Sequence, residues 1–170
     1  MDGTLAAIFL IASLTDMALT DCPTGCLAED QAISRVSFQG AKVSFQDEFI
    51  GNEVYIGYDL GTKYGPFQPT VGASLTDDGS YWVGAGFKWT TKEIIDSPFF
   101  IESSLMPGIY GSGDGPDLGG QLHFRSSLGA SYTFANGATV TASYDHRSNA
   151  DTQALNPGLE TIALRFAIPF

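Results

Sequence analysis

The sequence has little of several things, and each shortage narrows what the chain can be. Basic residues are few: Lys and Arg number 8 against 19 Asp and Glu, a formal net charge of −11. Such a chain lacks the basic face of a phosphate-backbone binder, so nucleic acid is not expected as a partner. Charge as a whole is sparse, at 16%, too little for a disordered acidic tail. Cysteine occurs only at Cys22 and Cys26, and histidine twice. Two cysteines four apart with so few further ligands do not make a zinc site, and no metal is expected. The body of the chain has no apolar run of roughly 18 residues, which excludes a helical membrane span there. A β-barrel span is still allowed, because its apolar residues alternate with polar ones.

Glycine and aromatics are abundant, at 20 residues and 12% respectively. That mixture suits a β protein with tight turns and suits a helical bundle poorly. The length of 170 residues is about one domain's worth.

Leu5 to Leu14 forms an apolar stretch of export-signal length, and Cys26-Leu27-Ala28 offers a small–x–small cleavage site. Residues 1–28 are therefore expected to be a signal peptide, with 29–170 as the mature domain. Met1-Asp2-Gly3 carries no basic residue, which a true start further upstream would explain. The competing reading is a buried helix. Leu19-Thr20-Asp21-Cys22 partly matches a lipidation site, but Asp21 stands where a small residue is needed, so lipidation is not expected.

From Ala32 onward the chain alternates. Tyr81, Val83, Ala85, Phe87 and Trp89 share one parity, and Trp82, Gly84, Gly86, Lys88 and Thr90 the other. In a strand these are opposite faces. Eight such segments fall near 33–46, 51–62, 67–76, 80–92, 98–110, 120–134, 138–148 and 160–170, and in the first the alternation slips near Gly40. Asp77-Asp78-Gly79 and Ala135-Asn136-Gly137 are hairpin turns. Eight strands of this kind predict an all-β fold, an eight-stranded antiparallel up-and-down transmembrane β-barrel. A soluble ligand-binding barrel is the alternative. The last strand favours the membrane form: Ile162, Leu164, Phe166, Ile168 and the terminal Phe170 share a face, with Arg165 opposite. Tyr64, Tyr81, Trp89, Tyr110 and Tyr132 fit interfacial girdles.

With Phe170 at the periplasmic rim, the connections at 47–50, 77–79, 111–119 and 149–159 are external, and those at 63–66, 93–97 and 135–137 are periplasmic. Strand seven carries Val140, Ala142, Tyr144, His146 and Ser148 on its apolar parity. His146 and Ser148 should thus face lipid near the external end. Glu160 shares parity with Ile162 and Leu164 on the neighbouring strand, so it should join them. Singly, each is explained by a strand end meeting water. Together, a hydroxyl, an imidazole and a carboxylate are the parts of an acyl-transfer triad. His123 shares parity with Gln121 and Arg125, toward the lumen, and has no predicted chemistry.

His146-Arg147-Ser148-Asn149-Ala150, followed by Asn156-Pro157-Gly158-Leu159-Glu160, resembles the motif of the outer-membrane lipid A 3-O-deacylases of the PagL type. The resemblance is strong over 144–170. It implies Ser148 as nucleophile, His146 as base, Glu160 as the group orienting the base, and Asn149 in the oxyanion hole. It implies hydrolysis of the 3-position acyl ester of lipid A in the bacterial outer membrane, releasing a 3-hydroxy fatty acid. It implies no cofactor, and lipid A (lipopolysaccharide) and membrane lipids as partners. Both monomer and homodimer fit the pattern. Asp151 departs from it, standing where a small residue is expected. The acidic residues Asp77, Asp78, Asp114, Asp117 and Asp151 read most simply as turn chemistry. A structural or adhesive barrel of the same shape is the non-enzymatic alternative, in which Ser148 would be dispensable.

Overall fold

The computed structural model describes residues 3–170. Met1 and Asp2, the start of the expected leader, lie outside the described residues. A helix, α1 (Thr4–Asp16), continues through one wider turn to Asp21. Ten strands follow: β1 (Glu29–Gln31), β2 (Arg35–Phe45), β3 (Glu48–Asp59), β4 (Thr62–Tyr64), β5 (Gln68–Thr76), β6 (Tyr81–Thr90), β7 (Phe99–Gly111), β8 (Leu122–Thr133), β9 (Thr139–Ser148) and β10 (Leu159–Pro169). All but β1 and β4 form a closed barrel in chain order, with β10 returning to pair with β2. Every pairing is antiparallel. Each of the eight segments expected from alternation is a barrel strand.

The alternation sorts the chain physically. Val54, Val83, Ile109, Leu122, Ile162 and Leu164 point out of the barrel and are 46–64% exposed. A contiguous apolar belt of this kind is unstable against water and needs lipid around it. The lumen is packed and polar. Among the described residues, its buried ionic groups are four acids (Glu53, Asp59, Glu102, Asp145) and four bases (Lys88, Arg125, Arg147, Arg165). They pair internally: Asp59 with Lys88 at 2.6 Å, Glu102 with Arg165, and Glu53 and Asp145 with the remaining arginines. A buried charge is tolerated only when so compensated. Toward the end of the barrel away from the C-terminus, Val43, Tyr55, Trp82, Met106, Tyr110, Leu118 and Leu159 form an apolar cluster in the lumen.

Four details depart from the sequence reading. The slip near Gly40 has two causes. Gly40 leaves a gap in the outward row, and beyond it the outward Lys42 donates to Asn52 Oδ1 at 2.7 Å; the register then shifts between Val43 and Ser44. The segment 51–62 ends as a barrel strand at Asp59, and Thr62–Tyr64 peels away to pair with Glu29–Gln31. Tyr110 is not a girdle residue: it is buried in the lumen, its hydroxyl donating to Pro116 O at 2.9 Å. Trp89 keeps its outward parity but is covered, its Nε1–H donating to Asp16 at 2.8 Å.

That last contact belongs to α1, which lies across the outer wall of the barrel over β7 and β8. Phe9 packs against Phe67, 6.2 Å between ring centroids. An apolar helix on an apolar barrel face buries surface that would otherwise meet lipid. Cys22 and Cys26, just beyond the helix, are joined as a disulfide.

Candidate active site

Strand pairing brings the three chemical groups together. In the β9–β10 hairpin Glu160 stands directly opposite His146, and on the other side of β9 Ser126 of β8 does the same. Opposite residues of antiparallel strands have Cβ atoms about 4.5–5.5 Å apart, close enough for a short carboxylate to reach a ring. The imidazole Nδ1 and Glu160 Oε1 are 3.1 Å apart. A proton on Nδ1 donated to Glu160 makes Nε2 the acceptor of the neutral ring, the tautomer a general base requires. Ser148 is two residues on, hence on the same outward face and roughly 6.8 Å along the strand. Its cross-strand partner is Phe124.

His146 and Ser148 are 5% and 8% exposed, although they lie outside the barrel. The covering is α1: Gly3 and Ala6 border the same cavity of about 380 Å³ as His146, Ser148, Ser126, Leu105 and Phe124. Without the helix, that cavity would open to the membrane. Ser126, Leu105 and Phe124 did not emerge from the sequence as site residues. Their outward parity on β7 and β8 was legible, but their level along the barrel depends on register.

Arg147, between the two, turns the opposite way. Its guanidinium reaches Glu53 on β3 at 2.6 Å and lies 5.7–5.8 Å from the rings of Tyr110 and Trp82. Glu53 also binds Arg125 at 2.9 Å, and Arg125 binds Asp145 at 2.7 Å. Ser127 and Gln39 donate to the same Asp145 carboxylate. The inward side of β9 is thus pinned at the level where its outward side carries the hydroxyl and the imidazole.

The loop 149–158 has its own structure. Asn149 is fully buried, and its side-chain Nδ2 faces three carbonyls: Leu118 O at 3.1 Å, Gly119 O at 2.8 Å and Leu155 O at 2.6 Å. This amide ties the loop to the 112–121 loop through backbone carbonyls. Ala150 and Asp151 both have left-handed backbone, φ 53° and 58°, and both line the cavity. Asn156 accepts from Asn149 N–H at 3.0 Å and donates to Asp151 Oδ1 at 2.8 Å. Gly158, with φ 76°, passes against the imidazole: a Cβ there would sit 2.9 Å from His146 Cε1. His123 faces the lumen as expected, buried, with Nε2 3.1 Å from Gly120 O.

A family model for lipid A 3-O-deacylase (PagL) matches residues 40–169. The chain belongs to this family. The PagL match runs from the middle of β2 to the end of β10 and so includes His146, Ser148, Asn149 and Glu160. The curated lipid A deacylase PagL of Pseudomonas aeruginosa is 40% identical over 73 residues, 41% of this chain and 42% of that relative. The aligned part therefore spans less than half the length of that relative. Among solved structures, the outer membrane enzyme PagL superposes with a TM-score of 0.61 at 22% identity, covering 80% of this chain and 99% of that one. Neisserial surface protein A superposes with a TM-score of 0.60 at 11% identity, covering 84% and 99%. Both share the eight-stranded barrel. The PagL-family chain described here is an outer-membrane β-barrel.

Proposed function

We propose that this chain is a lipid A 3-O-deacylase, a serine esterase acting in the outer leaflet through Ser148, His146 and Glu160. The observation that carries the reading is the His146–Glu160 contact at 3.1 Å on the same outward face, and in the same cavity, as Ser148. An isolated serine is a weak nucleophile. A neutral imidazole oriented by a carboxylate supplies what it lacks.

Ser148 Oγ attacks the ester carbonyl carbon at the 3-position as His146 Nε2 takes its proton. Glu160 stabilises the imidazolium. The tetrahedral intermediate collapses, the C–O bond to the sugar breaks, and the sugar oxygen leaves with the proton from His146. Water, deprotonated by the same ring, then attacks the acyl–Ser148 ester; the acyl C–Oγ bond breaks, Ser148 Oγ takes the proton back from His146, and the 3-hydroxy fatty acid is released. We assign the oxyanion donors to the loop after the nucleophile. Ala150 and Asp151 line the cavity in left-handed conformation, whereas the Asn149 side chain is bonded elsewhere. An outward-facing site suits a substrate that is itself a membrane lipid and arrives by lateral diffusion. Residues 1–28 are a leader whose removal uncovers the cavity that α1 covers.

The test is release of 3-hydroxy fatty acid from lipid A by detergent-purified protein. Ser148→Ala and His146→Ala should each abolish it while the barrel still assembles. Glu160→Ala should retain a weak residual rate, since the carboxylate makes no bond to substrate. A folded wild-type protein inactive on every lipid A offered would instead favour a structural barrel.

A further inference from the structure

The geometry points to a second binding site: we propose that the barrel mouth beside the C-terminus, its periplasmic end, binds a phosphate group between Arg35 and Lys92. The chain carries only 8 Lys and Arg, yet Arg35, Lys63, Lys88, Lys92 and Arg165 all border one cavity of about 220 Å³ at this mouth. Three of the five are neutralised in place. Lys88 pairs with Asp59 at 2.6 Å, Arg165 with Glu102, and Lys63 with Glu93.

The other two are not. Among the described residues, Arg35 and Lys92 form no ion pair. Arg35 Nε is buried with no hydrogen-bond partner among the described residues. Its cross-strand neighbour Asp59 is already held by Lys88 and by Thr70 Oγ1 at 2.8 Å. Among the described residues Lys92 donates to a hydroxyl, Thr133 Oγ1 at 3.0 Å, and stands 5.3 Å over the Phe100 ring. Burial, and then the charge of Arg35, push its pKa down, so the two cations act on each other. The remaining acid at the mouth, Asp16, accepts from Trp89 and belongs to the expected leader.

Two cations that form no ion pair and border one recess, in a protein of net charge −11, form a local reversal of field. A guanidinium edge with an unused donor matches two phosphate oxygens, and an ammonium supplies a second charge. The ligand is inorganic phosphate or the phosphomonoester headgroup of an inner-leaflet lipid.

The experiment uses wild-type protein in zwitterionic micelles, titrated with inorganic phosphate or with phosphatidic acid added to the micelles, and read by calorimetry and Tm. Sodium chloride at matched ionic strength is the control. Saturable binding in the phosphate arm assigns a soluble ligand, and binding in the phosphatidic acid arm alone assigns a lipid. Lys92→Gln should weaken either by roughly tenfold, and Arg35→Gln with Lys92→Gln should abolish it. Lys42→Gln, at the opposite end of the barrel, should leave it unchanged. Lys92 sits in a periplasmic turn, so its single variant stands even if the double variant does not fold. No binding in either arm, a Tm shift matched by chloride, or equal binding by Lys92→Gln would overturn the proposal.

Discussion

Gly158→Ala tests whether the loop after Ser148 sets the position of the His146 ring. The residue has φ 76°, a region where a Cβ costs roughly 1–2 kcal/mol. An added methyl would lie 2.9 Å from His146 Cε1 and 3.7 Å from Nδ1. Carbon atoms rest at about 3.5–4.0 Å, so the ring must retreat by roughly 0.5–1 Å. A displacement of about 1 Å at reacting groups costs on the order of 10²-fold in rate, so kcat should fall roughly 10- to 100-fold with KM little changed. Gly79→Ala isolates the backbone strain, because Gly79 has φ 80° and nothing within 4 Å of an added Cβ. The two variants should lose similar thermal stability, while only Gly158→Ala loses turnover of lipid A in detergent. Equal activity in both would refute the reasoning.

Asn149→Ala should act on structure, since Leu118, Gly119 and Leu155 carbonyls would lose their donor. A stability loss of about 1–3 kcal/mol and faster limited proteolysis of the 112–121 and 149–158 loops are expected. Lost turnover with unchanged proteolysis would instead give the side chain an oxyanion role. Asp151→Asn removes a charge while keeping a side chain that tolerates positive φ and can bond Asn156. KM for phosphorylated lipid A should fall roughly two- to fivefold at low ionic strength, the difference closing in high salt; an unchanged KM at low salt contradicts this. The Asp77 carboxyl, in the 77–79 turn, is held below the usual range by hydrogen bonds from the Asn52 side chain and backbone. That contact is intact above the ordinary Asp pKa of about 3.9 and is lost as pH falls through the lowered value. A carboxylate NMR titration of Asp77 with a midpoint at or above about 3.9 would contradict it.

The barrel was legible because period-two alternation is a local property: each strand declares its two faces without reference to any other. The pairing of His146 with Glu160 was nearly as legible, since the two belong to consecutive antiparallel strands and share the outward parity. What stayed hidden depends on pieces distant in sequence. The Arg147–Glu53 ion pair crosses the lumen from β9 to β3, and no local pattern links the two. Asn149 follows Ser148 in sequence, and only the fold of the 112–121 loop shows three carbonyls within reach of its amide. Tyr110 was assigned to a girdle from its position near a strand end, although its parity with Met106 and Glu102 already put it inside.

The proposed reaction is cleavage of the 3-position ester of lipid A by Ser148. Mass spectrometry of lipid A from cells expressing either the wild-type protein or Ser148→Ala tests it most directly, with both proteins checked for equal assembly in the outer membrane. Wild-type cells should show lipid A lighter by one 3-hydroxyacyl group, and Ser148→Ala cells should show none of that species. Equal loss of the acyl group from both would contradict the account.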